Sequence, residues 1–240
     1  YYPGGRWGNP KNRKIRYNPR RAARFLDSAG YTKRNANGIR VHEKTGKELS
    51  FTLEFGSASG TRIHQVIAEG LKEIGIEMKL ELMDYNASMK KVSERQFKLH
   101  SQAWRGILFP NPLTGWHSDL ANEPYNNNLT GFASAEVDTL MEEYDRTFDV
   151  NEQTRIMQKI DSLIFKEYPV SLGWYGPFER ILSWNHFGMP DNVLTRTGDN
   201  YSLWSLWWST PEMQKNLAES IEKGESMELV PDVMDPWGVK

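Results

Sequence analysis

The side chains able to do chemistry crowd into one stretch of 25 residues, which holds Trp104, Arg105, Phe109, Asn111, Trp116 and Asn128. Aromatic rings stack on ligands, a guanidinium offers a two-pronged fork to a carboxylate or phosphate, and carboxamides donate and accept at once. Such a set suits non-covalent recognition. Trp104 reads as a ligand contact, with core packing as its other role. Arg105 reads as a carboxylate or phosphate partner or as a solvated surface cation. Phe109, Asn111, Trp116 and Asn128 read as cleft-lining side chains or as the internal packing of a long loop. Covalent chemistry has less to stand on. The chain has no cysteine, which removes thiolate nucleophiles, disulfides and Cys-based zinc sites and leaves the redox compartment open. It contains no Gly-x-Ser-x-Gly, phosphate loop or Gly-x-Gly-x-x-Gly. His100 and His117 lack metal-ligand spacing. Asp84 beside Tyr85 fits a helix start, and Glu142 with Glu143 fits a solvated helix face, better than either fits a catalytic carboxylate pair. The expectation is a binding protein with no cofactor and no metal, and not an enzyme.

Composition sets the outer bounds. A chain of 240 residues, 38% hydrophobic and 25% charged, has the make-up of one to two globular domains. Its longest apolar runs fall far short of the ~20 residues needed to span a bilayer. Thirty basic residues against 31 acidic ones give a net charge of −1, and on that average neither nucleic acid nor an anionic membrane is an expected partner. Nine tryptophans are more than core packing alone needs, and point to a recognition surface or an interface. The sequence opens on Tyr1 without Met or a basic-plus-apolar leader, and reads as an excised piece with any export signal upstream.

The elements that must position these residues follow from periodicity. Asn18-Pro19 opens a helix that Gly30 closes. Leu49 to Phe55 alternates as a strand with Phe51, Leu53 and Phe55 on one face, and Gly56 to Gly60 forms a loop. Thr61 caps a helix whose apolar face is Ile63, Val66, Ile67, Leu71 and Ile74, ended by Gly75. Ile76 to Leu82 alternates as a second strand, so strand, helix and strand imply a right-handed crossover and a parallel pair. Asn86 caps a short helix, and Phe97 to Ser101 forms a third strand leading to Trp104. Regularity stops from Arg105 to Thr130, a length of loop that is usually functional or disordered. Helices resume after Ser134 and again through Ile156 to Ile164 as an antiparallel pair. Strands are expected at 169–174, 180–184 and 201–208, then an amphipathic helix from Pro211 to about Lys223 and an acidic tail.

These pieces in this order resemble the family 5 extracellular solute-binding proteins of bacterial ABC importers. Residues 17–31, Tyr-Asn-Pro-Arg-Arg-Ala-Ala-Arg-Phe-Leu-Asp-Ser-Ala-Gly-Tyr, are similar to the family's Tyr-Asp-Pro-x-x-Ala-x-x-Leu-Leu-x-x-Ala-Gly-Tyr helix. Leu71 to Met78 resembles its Leu-x-x-Ile-Gly-Ile-x-Val turn, Phe97 to Trp104 its approach to a binding-site tryptophan, and Asp138 to Pro169 its helix pair and following strand.

The resemblance implies an α/β fold: a type II periplasmic-binding-protein-like lobe with a mixed sheet flanked by helices. It assigns 1–200 to the second, C-terminal lobe and 201–240 to a final strand returning to the first lobe, with a C-terminal helix and tail, the first lobe lying outside this chain. It further implies a periplasmic or extracellular monomer, with a lipid anchor open, that captures peptides or modified peptides between lobes for an ABC permease. Oligosaccharide binding is the alternative, and a hydrolytic enzyme the more distant one. One departure bears on ligand choice. Where peptide-binding members place an Asp three residues after the tryptophan, this chain has Ile107. A ligand amine placed there forfeits a charge-assisted hydrogen bond worth ~1.5–3 kcal/mol.

Overall fold

The computed structural model describes residues 5–104, 109–173, 183–190 and 205–227. They fall into two compact units, one of residues 5–104 and 111–171, the other of the remaining described residues. The expected strand at 180–184, much of that at 201–208 and the acidic tail reach outside the described residues.

The first unit begins as a strap. Trp7 packs edge-on against Tyr144 with ring centroids 6.3 Å apart, and Asn9 donates from its backbone to Asp161 (2.8 Å) and from its side chain to Ser162 (2.8 Å). Helix α1, Pro19–Ser28, starts where expected: the Asn18 side chain accepts the Arg21 amide at 2.8 Å, and Pro19 sits in the first turn. A hairpin of β1, Lys33–Arg34, and β2, Arg40–Val41, follows; the sequence pattern was too short to reveal it.

The central sheet has order β4-β3-β5, with β3 at Ser50–Phe55, β4 at Glu77–Leu82 and β5 at Leu99–His100. All its described pairings are parallel, and antiparallel pairing lies in the separate β1–β2 hairpin. The α/β class is therefore as the sequence implied. Helix α2, Thr61–Glu73, makes the crossover from β3 to β4. A 3₁₀ turn at Ala58–Gly60 precedes it, so Gly60 occupies the cap and Thr61 is the first helical residue instead of the cap.

Helix α2 also turns a different side to the sheet from the one its apolar spacing suggests. His64 is buried, and Ala68 and Leu71 pack on the core of Leu53, Phe55 and Met78. Ile63, Val66 and Ile67 stay exposed, Val66 at 75%. At 100° per residue the inward set lies roughly a quarter turn from the outward one. The apolar stripe is wider than the sheet can cover, and the sheet takes the edge holding the smaller Ala68.

Helix α3, Tyr85–Ser93, is capped by Asp84, which accepts from the Asn86 and Ala87 amides, and not by Asn86. After the short α4, Leu113–Trp116, the antiparallel-type pair α5, Ala135–Arg146, and α6, Val150–Glu167, builds the larger core. Val137, Met141, Ile156, Met157 and Ile160 are fully enclosed there. Ser134 and Asp149 cap the two helices. Described residues 169–173 form no strand.

In the second unit Gly188 and Trp208 exchange antiparallel backbone hydrogen bonds of 2.9 and 3.1 Å, and the Phe187 and Trp207 rings lie 5.0 Å apart. Residues 205–206 are helical, so the described part of the expected strand at 201–208 contributes only the bridge at Trp208. Helix α7, Pro211–Lys223, has the bounds its sequence predicts; Thr210 caps it and Gly224 closes it.

Candidate functional site

In an open parallel sheet, ligands settle beyond the carboxyl ends of the strands, because loops there are free of ladder constraints and helix amino ends converge on them. In the first unit that edge is made by Gly56–Gly60 after β3, Met83-Asp84 after β4, and residues 101–104 after β5. Trp104 stands on the last of these, 56% exposed. An indole left half in water at a strand terminus forgoes burial worth about 2 kcal/mol, a cost that a ligand or partner surface would recover.

Behind Trp104 a row of polar residues crosses the sheet. Glu81 of β4, Glu54 of β3 and His100 of β5 share one register. From α3, Lys91 donates to Glu54 at 2.8 Å, and this hydrogen bond, with the nearby charge of Glu81, holds the Lys91 ammonium above its ordinary range. Burial pushes His100 the other way, below its ordinary value, against the weaker pull of Glu54. Beneath the row, His64 sits edge-on to Phe55 with centroids 4.7 Å apart and is lowered by burial alone; its Nδ1 finds no hydrogen-bond partner.

Both histidines are thus held neutral by the fold. The unfolded chain binds their protons at about pH 6.5 and the folded one only at lower pH, so their contribution is intact above 6.5 and is lost as pH falls below it. Thermal melts of the wild type from pH 8 to pH 5 are expected to drop more steeply below 6.5 than those of His64→Phe. Equal slopes would mean that His64 carries none of the dependence.

Three of the other predicted contact residues, Asn111, Trp116 and Asn128, belong to a different assembly, the loop from Asn111 to Ala133. Arg95, itself at φ 58°, donates to the carbonyls of Glu123 (2.6 Å), Leu120 (2.8 Å) and Asn128 (2.6 Å) and to the Asn126 side chain (3.2 Å). Five directed donors in a planar fork suit this clustering of carbonyls. The Asn126 side chain then donates to Leu120 O at 3.0 Å and accepts from the Asn128 amide at 2.8 Å. Asn128 is fully buried; its side chain donates to His117 O (3.1 Å) and Phe132 O (2.8 Å) and accepts from Phe132 N (3.1 Å). Trp116 lies edge-on to Phe132, centroids 5.7 Å apart, against the α5–α6 core. The exposed Asn111 accepts from Leu113 N at 3.1 Å and so opens α4.

The structure therefore gathers Asn111, Trp116 and Asn128 into one loop, with the Asn128 side chain consumed inside it, and leaves Trp104 at the sheet edge. Phe109, exposed, belongs to the second unit. Arg105 and Ile107 lie outside the described residues. Sequence reasoning missed Arg95 and Arg40, the two buried-contact hubs. A basic residue inside an otherwise ordinary helix end or hairpin gives no periodic signal. Two concavities flank the loop: one of about 540 Å³ between residues 132–136 and the last turn of α6, and one of about 350 Å³ at Leu113, His117 and Leu120. Among the described residues no three His, Asp or Glu side chains converge as a metal site would need.

A crossover-linked parallel sheet with an exposed indole beyond its carboxyl edge offers a surface on which a solute can stack. The chain belongs to the bacterial extracellular solute-binding proteins, family 5, whose middle region matches residues 1–127. It is 27% identical over 194 residues to the oligopeptide-binding protein AppA of Bacillus subtilis, covering 78% of this chain and 34% of that one. The structure of Bacillus subtilis AppA in complex with a nonapeptide superposes with a TM-score of 0.59 over 68% of this chain and 33% of that one, at 27% identity. A periplasmic oligopeptide-binding protein of Thermotoga maritima, in a mannohexaose-bound structure, shares the fold at 22% identity with a TM-score of 0.60, over 68% of this chain and 32% of that one. The chain spans about a third of the length of these relatives.

Proposed function

We propose that this chain supplies the second lobe, residues 1–200, and a returning C-terminal segment, residues 201–240, of a two-lobed protein that captures peptides or modified peptides for an ABC importer. Trp104 carries the reading: a large, rigid, half-exposed ring at the end of a parallel strand, in a chain 27% identical to a protein seen with a nonapeptide. Closure of the lobes buries that ring against the ligand, and the ligand's preference for the closed state shifts the hinge equilibrium. Arg105, Phe109, Asn111 and Trp116 are assigned to the cleft margin and Asn128 to the frame behind it. With Ile107 where an amine-pairing carboxylate would stand, recognition of a free amino terminus falls to other residues or is relaxed, which favours longer or blocked peptides. The chain binds without turning its ligand over, outside the cytoplasm and as a monomer, and presents the closed form to the permease.

Thermal-shift screening of the full-length protein against peptides, nickel chelates and oligosaccharides tests this. A ligand at about 100 times Kd adds about 2.7 kcal/mol to folding stability, a shift easily read. Peptide hits are expected, and Trp104→Ala should weaken the best of them about tenfold while Trp104→Phe keeps most of the affinity. Hits confined to sugars would overturn the peptide assignment, and silence in all three classes would sink the binding role.

A further inference from the structure

The near-neutral charge of the whole chain hides a local imbalance. Between Arg6 and Arg34 stand ten basic residues and one acidic one, Asp27, while the rest of the chain carries 20 basic and 30 acidic residues. Asp27 is already committed to the buried Arg40. On α1 the half-buried side is Ala22, Ala23 and Leu26, and at 100° per residue the exposed side presents Arg20, Arg21, Arg24 and Phe25 together. The approach to the helix continues the pattern, with Lys11, Arg13, Lys14 and Arg16 all exposed. Among the described residues no carboxylate pairs with any of these seven cations.

Bulky apolar groups are interleaved with the charges. Ile15 is 61%, Tyr17 78% and Phe25 58% exposed, and the Arg21 guanidinium lies 5.3 Å from the Phe25 ring centroid. Cations alone would suit any polyanion. Cations with protruding isoleucine, tyrosine and phenylalanine suit an interface whose outer layer is phosphate and whose next layer is hydrocarbon. We propose that the outward face of α1 with residues 11–17 docks the protein on an anionic phospholipid surface. The acidic balance of the remaining chain orients the molecule so that this face leads. The inference is independent of which solute is bound, and an extracellular family places the face where an outer leaflet is available.

Sedimentation of the full chain with phosphatidylcholine vesicles, with and without phosphatidylglycerol, tests it. Binding is expected only with phosphatidylglycerol and should fade as salt rises past about 0.1 M, where screening reaches ~10 Å. The triple variant Arg20→Gln, Arg21→Gln, Arg24→Gln should bind roughly a hundredfold more weakly, at about 1 kcal/mol per cation. Its circular dichroism should be unchanged, because these side chains make no described ion pairs. Phe25→Ser should lower the part of binding that survives salt. Arg146→Gln, Lys159→Gln, Lys166→Gln, three exposed cations of α5 and α6, should bind like the wild type. Equal binding to neutral vesicles, absence of binding, equal losses in both triple variants, or tighter binding to duplex DNA at matched salt would each overturn the proposal.

Discussion

Gly75→Ala is expected to lower the stability of the first unit by about 3 kcal/mol. Gly75 ends the α2 crossover at φ +86°, a left-handed conformation costing a residue with a side chain ~1–2 kcal/mol. Space adds the rest. A Cβ there would stand 2.7 Å from Cγ of Arg40 and 2.9 Å from Cζ of Arg34. Arg40 has no room to retreat: it is buried, its Nε donates to Ile74 O at 2.8 Å, its guanidinium reaches Asp27 and Tyr31 O, and its backbone amide donates to Gly75 O at 2.8 Å. The arginine thus fastens the end of α1 to the turn between α2 and β4. Urea titration gives the free energy, and a cycle with Arg40→Ala separates its parts. In the Arg40→Ala background only the ~1–2 kcal/mol of backbone strain should remain; an undiminished penalty would show that the close approach to Arg40 costs nothing.

A comparable loss, about 3 kcal/mol, is expected of Asn128→Ala, for a different reason. Removing the carboxamide leaves Phe132 O unpaired among the described residues, at ~1–3 kcal/mol, and takes one of two bonds each from Phe132 N, which keeps Thr130 Oγ1 at 3.3 Å, and from His117 O, which keeps the Leu120 amide at 3.1 Å. Because these bonds join both ends of the loop to Phe132, and Phe132 is part of the α5–α6 core, the damage should spread inward. Amide exchange reads it directly: the Phe132 amide should lose protection by about two orders of magnitude, while Ile160 in the enclosed core loses far less. Uniform loss over both would mean that the loop and the helix pair open as one unit.

The two substitutions mark the boundary between what sequence and structure reveal. The Ile-Gly-Ile motif is visible as a helix stop, since glycine after an apolar helix signals a left-handed residue wherever it occurs. That the turn must also clear an arginine 35 positions earlier is not visible. The same holds for Asn126-Asn127-Asn128. Its polarity predicts irregular backbone, and the loop is irregular, but polarity is silent on whether a carboxamide faces a ligand or its own main chain. Asn128 is an expected contact by residue type; the fold turns its donor and acceptor to the main chain at His117 and Phe132.

Local rules settled most of the elements. Caps at Asn18, Ser134 and Thr210, alternation in β3 and β4, and the apolar period of α5 and α6 all act within a few residues, so the chain carries them openly. Trp104 also was placed correctly beyond β5, because a strand period that ends before an aromatic residue is itself a local pattern. The side of α2 that meets the sheet, the cap of α3, the short β1–β2 hairpin and the two arginine hubs were decided by tertiary structure. Each is left open by the local pattern: whether Ala68 or Val66 turns to the sheet, whether Asp84 or Asn86 caps α3, and that Arg40 and Arg95 reach carbonyls as far along the chain as Ile74 and Asn128. Sequence by itself determined the parts and the family they belong to. Only packing determined which faces turned inward, because burial rewards the arrangement that leaves the fewest polar groups unpaired, and that sum is taken over the whole unit.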